Sequence, residues 1–148
     1  TGEASGDEFR LNTYTSGNQE NLSVAALSSG GFVAAWNDSE QDGNSSGVYA
    51  KQFSEVGESI GAEFRVNEFA INRQFDPTVV ALPDGGWLVA FGSYNHPEGQ
   101  YDSIFSRRFN SEGAPMGGDK IESGKGYYQR FPTPRDQIPP TLVSSGSP

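Results

Sequence analysis

The 148-residue sequence predicts an all-β protein built from antiparallel four-stranded units in tandem. Three observations carry that expectation. The stretch Ser23-Val24-Ala25-Ala26-Leu27-Ser28-Ser29-Gly30-Gly31-Phe32-Val33-Ala34-Ala35-Trp36 returns without a gap, 55 residues on, as Thr78-Val79-Val80-Ala81-Leu82-Pro83-Asp84-Gly85-Gly86-Trp87-Leu88-Val89-Ala90-Phe91. Each copy reads as strand, tight glycine turn, strand. Apolar residues alternate or run in short blocks, and no stretch has the i, i+3, i+4, i+7 spacing of an amphipathic helix. The 19 glycines and 12% aromatic residues are the mixture that short strands and tight turns require.

Residues 1–7 are rich in Gly, Ser and acidic side chains and read as a tail. Residues 8–62 form repeat 1. Its opening, Glu8-Phe9-Arg10-Leu11-Asn12, alternates like a short strand, and Gln19 leads into the hairpin. A polar loop follows over 37–47. The third strand is Gly47-Val48-Tyr49-Ala50-Lys51-Gln52-Phe53, closed by the turn Ser54-Glu55-Val56-Gly57. Residues 63–118 repeat the plan, with Glu63-Phe64-Arg65-Val66-Asn67, Gln74, the second hairpin, Ser103-Ile104-Phe105-Ser106-Arg107-Arg108-Phe109 and Asn110-Ser111-Glu112-Gly113 in the matching places. The Phe-Arg-Val strand that opens one repeat completes the four strands of the repeat before it.

Residues 119–134 begin a truncated third repeat. Asp119-Lys120-Ile121 is a weak copy of the opening, and Gln129-Arg130-Phe131-Pro132-Thr133 matches Gln74-Phe75-Asp76-Pro77-Thr78. Residues 135–148 are rich in Pro and Ser and read as a tail or as a strand donated to a neighbour. Four strands in about 55 residues is the length of a propeller blade. Two antiparallel sheets in a sandwich are the alternative arrangement. Two units leave unpaired edge strands, so the expected partner is another copy, in a homo-oligomer or filament joined through sheet edges and terminal strands.

The pattern Phe-Arg-Val-Asn, then Gln, then Pro-Thr-Val-Val-Ala-Leu-Pro-Asp-Gly-Gly-Trp-Leu-Val-Ala-Phe, then Ile-Phe-Ser-Arg-Arg-Phe resembles tandem repeats of very large secreted bacterial proteins of the calcium-binding, adhesin-like type. The resemblance spans about Glu8 to Thr133. It implies a propeller-like or related β fold and an extracellular, cell-surface location. No catalytic residue comes with it.

The net charge is −9, and the 10 Lys and Arg residues form no basic stripe. That excludes nucleic acid and anionic membranes as expected partners. No apolar run approaches the roughly 18 residues of a membrane span, so no membrane insertion is expected. There are no cysteines, which removes disulfides and thiolate zinc sites.

Two constellations bear on ligands. Asp38, Glu40, Asp42 and Asn44 precede or flank Gly43 at alternate positions, like the opening of a calcium loop. The usual bidentate Glu further on is missing, and a solvated acidic hairpin loop is the competing reading. Calcium is the one cofactor the sequence suggests. Trp36 and Tyr94 stand at strand ends beside polar loops and, with Asn37 and Asn95, are carbohydrate-binding candidates: aromatic faces stack on sugar rings and amides pair with hydroxyls. The aromatics Phe32, Trp36, Trp87 and Phe91 alternate onto one side of their strands, where core packing competes with binding.

His96 is the only histidine and is expected to be exposed. No Gly-x-Ser-x-Gly motif accompanies it, and no spacing singles out a pair of glycosidase carboxylates. No catalytic residue is predicted. The function expected is therefore a non-enzymatic, extracellular, self-assembling or adhesive structural module of a bacterial surface protein or filament. A lectin-like carbohydrate-binding oligomeric propeller is the first alternative and a glycan-cleaving enzyme the second.

Overall fold

The computed structural model describes residues 2–98 and 101–122. It contains eight strands: β1 (Gln19–Ala26), β2 (Phe32–Asp38), β3 (Gly47–Phe53), β4 (Ser59–Arg65), β5 (Gln74–Ala81), β6 (Trp87–Tyr94), β7 (Asp102–Phe109) and β8 (Lys120–Ile121). They form two antiparallel sheets, ordered β1-β2-β3-β4 and β5-β6-β7-β8, so within each sheet strands pair in sequence order and the chain passes between sheets from β4 to β5. The all-β expectation holds, and no helix occurs among the described residues. Residues 123–148, which hold the third-repeat match at 129–133 and the tail or donor strand expected at 135–148, lie outside the described residues.

The hairpins form where the sequence placed them. In the first, the Leu27 N–H donates to the Gly31 carbonyl at 3.0 Å, and the Gly30 N–H to the Leu27 carbonyl at 3.0 Å. Gly30 and Gly31 have φ of 94° and 76°, a region that costs an L side chain about 1 kcal/mol or more. A Cβ on Gly31 would also strike the carbonyl oxygen of Phe53 on β3, and one on Gly86 would strike that of Phe109 on β7. The Gly-Gly pair thus serves both the turn and the close passage of the next strand.

One expected strand is absent. Glu8 to Asn12 alternates, but among the described residues no strand pairs with it, and it has no regular structure. The Phe9 ring packs on Phe53 with centroids 5.9 Å apart, and Leu11 joins the same cluster. Its copy, Phe64, sits in β4 paired with β3 and packs on Trp87 and Phe109 of the second sheet at 6.0 and 5.3 Å. Each Phe therefore covers the corresponding spot of the unit that follows it.

Polar clasps repeat with the same fidelity. The Asn12 amide donates to Tyr14 O and Gln19 Oε1, and the Asn67 amide to Phe69 O and Gln74 Oε1. The Glu63 carboxylate accepts the N–H groups of Thr13 and Tyr14, as Asp119 accepts those of Glu68 and Phe69. These contacts satisfy the backbone of the irregular segment that enters each sheet, where no ladder is available.

The two sheets pack through unlike faces. The main core joins Val33, Ala35, Val48 and Ala50 of the first sheet to Trp87, Val89, Phe91, Phe105 and Phe109 of the second. In the repeat, those second-sheet positions correspond to Phe32, Ala34, Trp36, Tyr49 and Phe53, which lie on the opposite face of the first sheet in a cluster with Leu11. The positions of the second sheet that correspond to Val33, Ala35 and Val48 are Leu88, Ala90 and Ile104. Ile104 is 49% exposed and Val80, on the neighbouring β5, is 48% exposed.

Candidate functional site

The site lies where the two units meet at their first strands. β1 and β5 each carry a register shift, between Glu20 and Ser23 and between Phe75 and Thr78. Asn21 and Asp76 occupy equivalent places in these bulges with φ of 55° and 52°, a conformation that Asn and Asp tolerate better than most residues. Their side chains meet: Asn21 Nδ2 donates to Asp76 Oδ1 at 2.7 Å. The Ser23 hydroxyl accepts the Val79 N–H at 3.0 Å. Equivalent positions of the two units are thus in direct contact.

Beside that contact opens a cavity of about 240 Å³, lined among others by Asn37, Ser39, Ser46, Arg73, Phe75 and Asp76. A second cavity of about 310 Å³ continues it across Arg73 and Phe75 to Tyr94 and Asp102. The ring of Phe75 rests on the backbone of β6 at Gly92, where a Cβ would run into it. The Arg73 guanidinium stands over the same ring, 4.4 Å from its centroid. Among the described residues Arg73 makes no ion pair, and the single one is Arg108 with Asp84.

Asn37 is 4% exposed, and its Oδ1 is buried without a partner. A buried amide left unpaired costs about 1–3 kcal/mol, so a residue held this way at a cavity wall is set apart from the clasps above. Two predicted carbohydrate residues therefore reach this groove, Asn37 on one side and Tyr94 on the other. The other two do not. Trp36 is 3% exposed, in the cluster under Leu11, and lines a separate cavity of about 260 Å³ with Leu11, Gln19 and Leu22. Asn95 uses its backbone N–H to close a turn onto Tyr101 O at 2.8 Å. Sequence reasoning missed Arg73, Phe75 and Asp76. The signal available was Gly92, a glycine inside a strand where the first copy has Asn37, because such glycines mark close approach of another group.

The acidic loop is built otherwise than a calcium loop. Asp38 is fully buried and turns its oxygens inward: Oδ1 accepts the N–H groups of Glu40 and Gln41, and Oδ2 accepts from Gln19 Nε2. Glu40 accepts from the Ser16 hydroxyl, Asp42 Oδ1 from the Asn44 N–H, and Asn44 Oδ1 from the Asn72 N–H. The four side chains diverge, and no group of three His, Cys, Asp or Glu residues among the described residues is placed to hold a metal ion. The desire for backbone partners in a tight loop explains the same spacing.

His96 is buried, not exposed. Its ring lies 4.0 Å from that of Phe105 and 4.6 Å from that of Phe69, and its Nδ1 accepts the Glu98 N–H. Burial holds its pKa below the usual 6.5, so the neutral ring is favoured. Asp119, across a cavity shared with Glu68, is pushed above its ordinary value by burial despite its two backbone hydrogen bonds. Its Oδ1 is buried without a partner.

No protein-family model matches the chain, and no curated protein or solved structure matches it.

Proposed function

We propose that this chain is a non-enzymatic structural module, blade-like in arrangement, that joins to further units of its own kind. The unlike-face packing carries the reading. A contact between two different faces leaves one face of each kind at the two ends of the pair, the first covered in part by Phe9 and Leu11, whereas a contact between like faces would close on itself. The second sheet presents Val80, Leu88, Ala90 and Ile104 where the first presents its core. At the other end, Leu22 and Val24 of β1 are exposed, while their copies Pro77 and Val79 are buried. The joining surface is thus a sheet face more than a sheet edge.

The acidic, cysteine-free surface and the resemblance to secreted repeats support an extracellular, cell-surface setting for such a module. The test is particle mass by light scattering across a dilution series. The wild-type chain gives a mass above its 15.9 kDa monomer. Val80→Asp/Ile104→Asp returns it to the monomer with an unchanged circular dichroism spectrum. A wild-type chain that stays monomeric at every concentration refutes the reading.

A further inference from the structure

We propose that the groove between the units binds a neutral pyranose sugar, with Arg73 donating to ring hydroxyls and Asn37 and Asp76 accepting from them. The inference is independent of assembly, since the groove belongs to a single chain. Three features support it. The groove mixes polar side chains with a planar platform, the Arg73 guanidinium stacked on Phe75, held in place by the bare backbone at Gly92. An exposed arginine fixed over an aromatic ring has lost much of its freedom beforehand, so less ordering is required when a ligand arrives.

Second, Asn37 stands at the wall, 4% exposed, with its Oδ1 buried and unpaired. A ligand that draws this side chain round to face the groove gives its oxygen a donor and relieves the penalty of leaving it unpaired. Third, donors and acceptors are mixed. An anion would select donors alone and a metal ion acceptors alone, while sugar hydroxyls do both and pair with arginine and carboxylate together. The carboxylates of Glu20, Asp76 and Asp102 border the groove against one guanidinium. That balance repels sialic acids, uronic acids, sulfates and phosphates and selects uncharged rings.

The experiment is saturation-transfer NMR on the full chain with methyl glycosides of glucose, galactose, mannose and fucose, and with methyl sialoside as the anionic arm. Transfer to at least one neutral glycoside and none to the sialoside is the expected result. Arg73→Ala then raises the Kd about tenfold or more, the loss of one charged hydrogen-bond donor. Gly92→Ala does the same without touching a polar group, because its Cβ displaces Phe75 and with it Arg73. Both residues lie away from the main core, and the particle mass of each variant stays that of the wild type. Absence of transfer to all four neutral sugars overturns the proposal. So does transfer that survives undiminished in Arg73→Ala/Asn37→Ala.

Discussion

Truncating the two equivalent clasp asparagines, Asn12 and Asn67, is expected to have unequal consequences, although the sequence presents them as copies. Asn67 is 1% exposed and its side chain makes three hydrogen bonds. Its Oδ1 accepts the Val48 N–H at 2.8 Å, and its Nδ2 donates to Phe69 O at 2.9 Å and Gln74 Oε1 at 3.0 Å. Val48 and Gln74 are themselves fully buried, so water cannot replace the lost partner. Each buried group left unsatisfied costs about 1–3 kcal/mol, which places Asn67→Ala at about 3–4 kcal/mol. Asn12 makes only the two donor bonds, at 2.7 and 3.3 Å, and sits half-buried beside the exposed segment 13–18. Solvent reaches that region, and Asn12→Ala is expected to cost about 1 kcal/mol. Urea unfolding of the two variants and the wild type, at one protein concentration and followed by tryptophan fluorescence, reads the difference from the midpoints if m is unchanged. Equal losses for the two variants would refute the accounting, because they would mean that the bond to Val48 and the burial of Gln74 contribute nothing.

Three other outcomes are expected. Gly31→Ala places a Cβ against the Phe53 carbonyl in a residue with φ of 76°, and thermal melting should show a loss of about 2–4 kcal/mol. Stability should fall as the pH drops below about 6.5, because the unfolded chain takes up a proton on His96 that the folded chain, with its lowered pKa, refuses. His96→Gln should flatten that limb in urea titrations run at successive pH values. Asp119 acts with the opposite sign nearer its ordinary value of 3.8, where its raised folded pKa lets protonation favour the fold. Millimolar calcium or a chelator should leave the melting temperature unchanged, since Asp38, Glu40, Asp42 and Asn44 point to separate partners; a rise with calcium would restore the metal site.

The hairpins, their glycines and the four-strand plan were legible because each rests on local chemistry: alternation sets the faces, and only glycine suits the turn. What the sequence left open depended on what lies beyond the strand. Glu8 to Asn12 has the alternation of a strand but no neighbour to pair with, and pattern alone does not supply one. Trp36 and Phe91 read alike as strand-end aromatics, yet which face is covered is decided by the next unit and by Leu11. Asp38 looked like a ligand because its loop is acidic, whereas the short loop needed an acceptor for two of its own amides. The groove rests on a bulge at Asp76, a bare backbone at Gly92 and an arginine three residues before that bulge. Their meeting is a product of packing between units that no local spacing announces.

The mating of unlike faces also bears on how such a chain grows. Because the back of one sheet fits the front of the next, a duplicated gene segment arrives already equipped for both neighbours. If arrays form as proposed, lengthening one requires no invention of surface, only another round of copying.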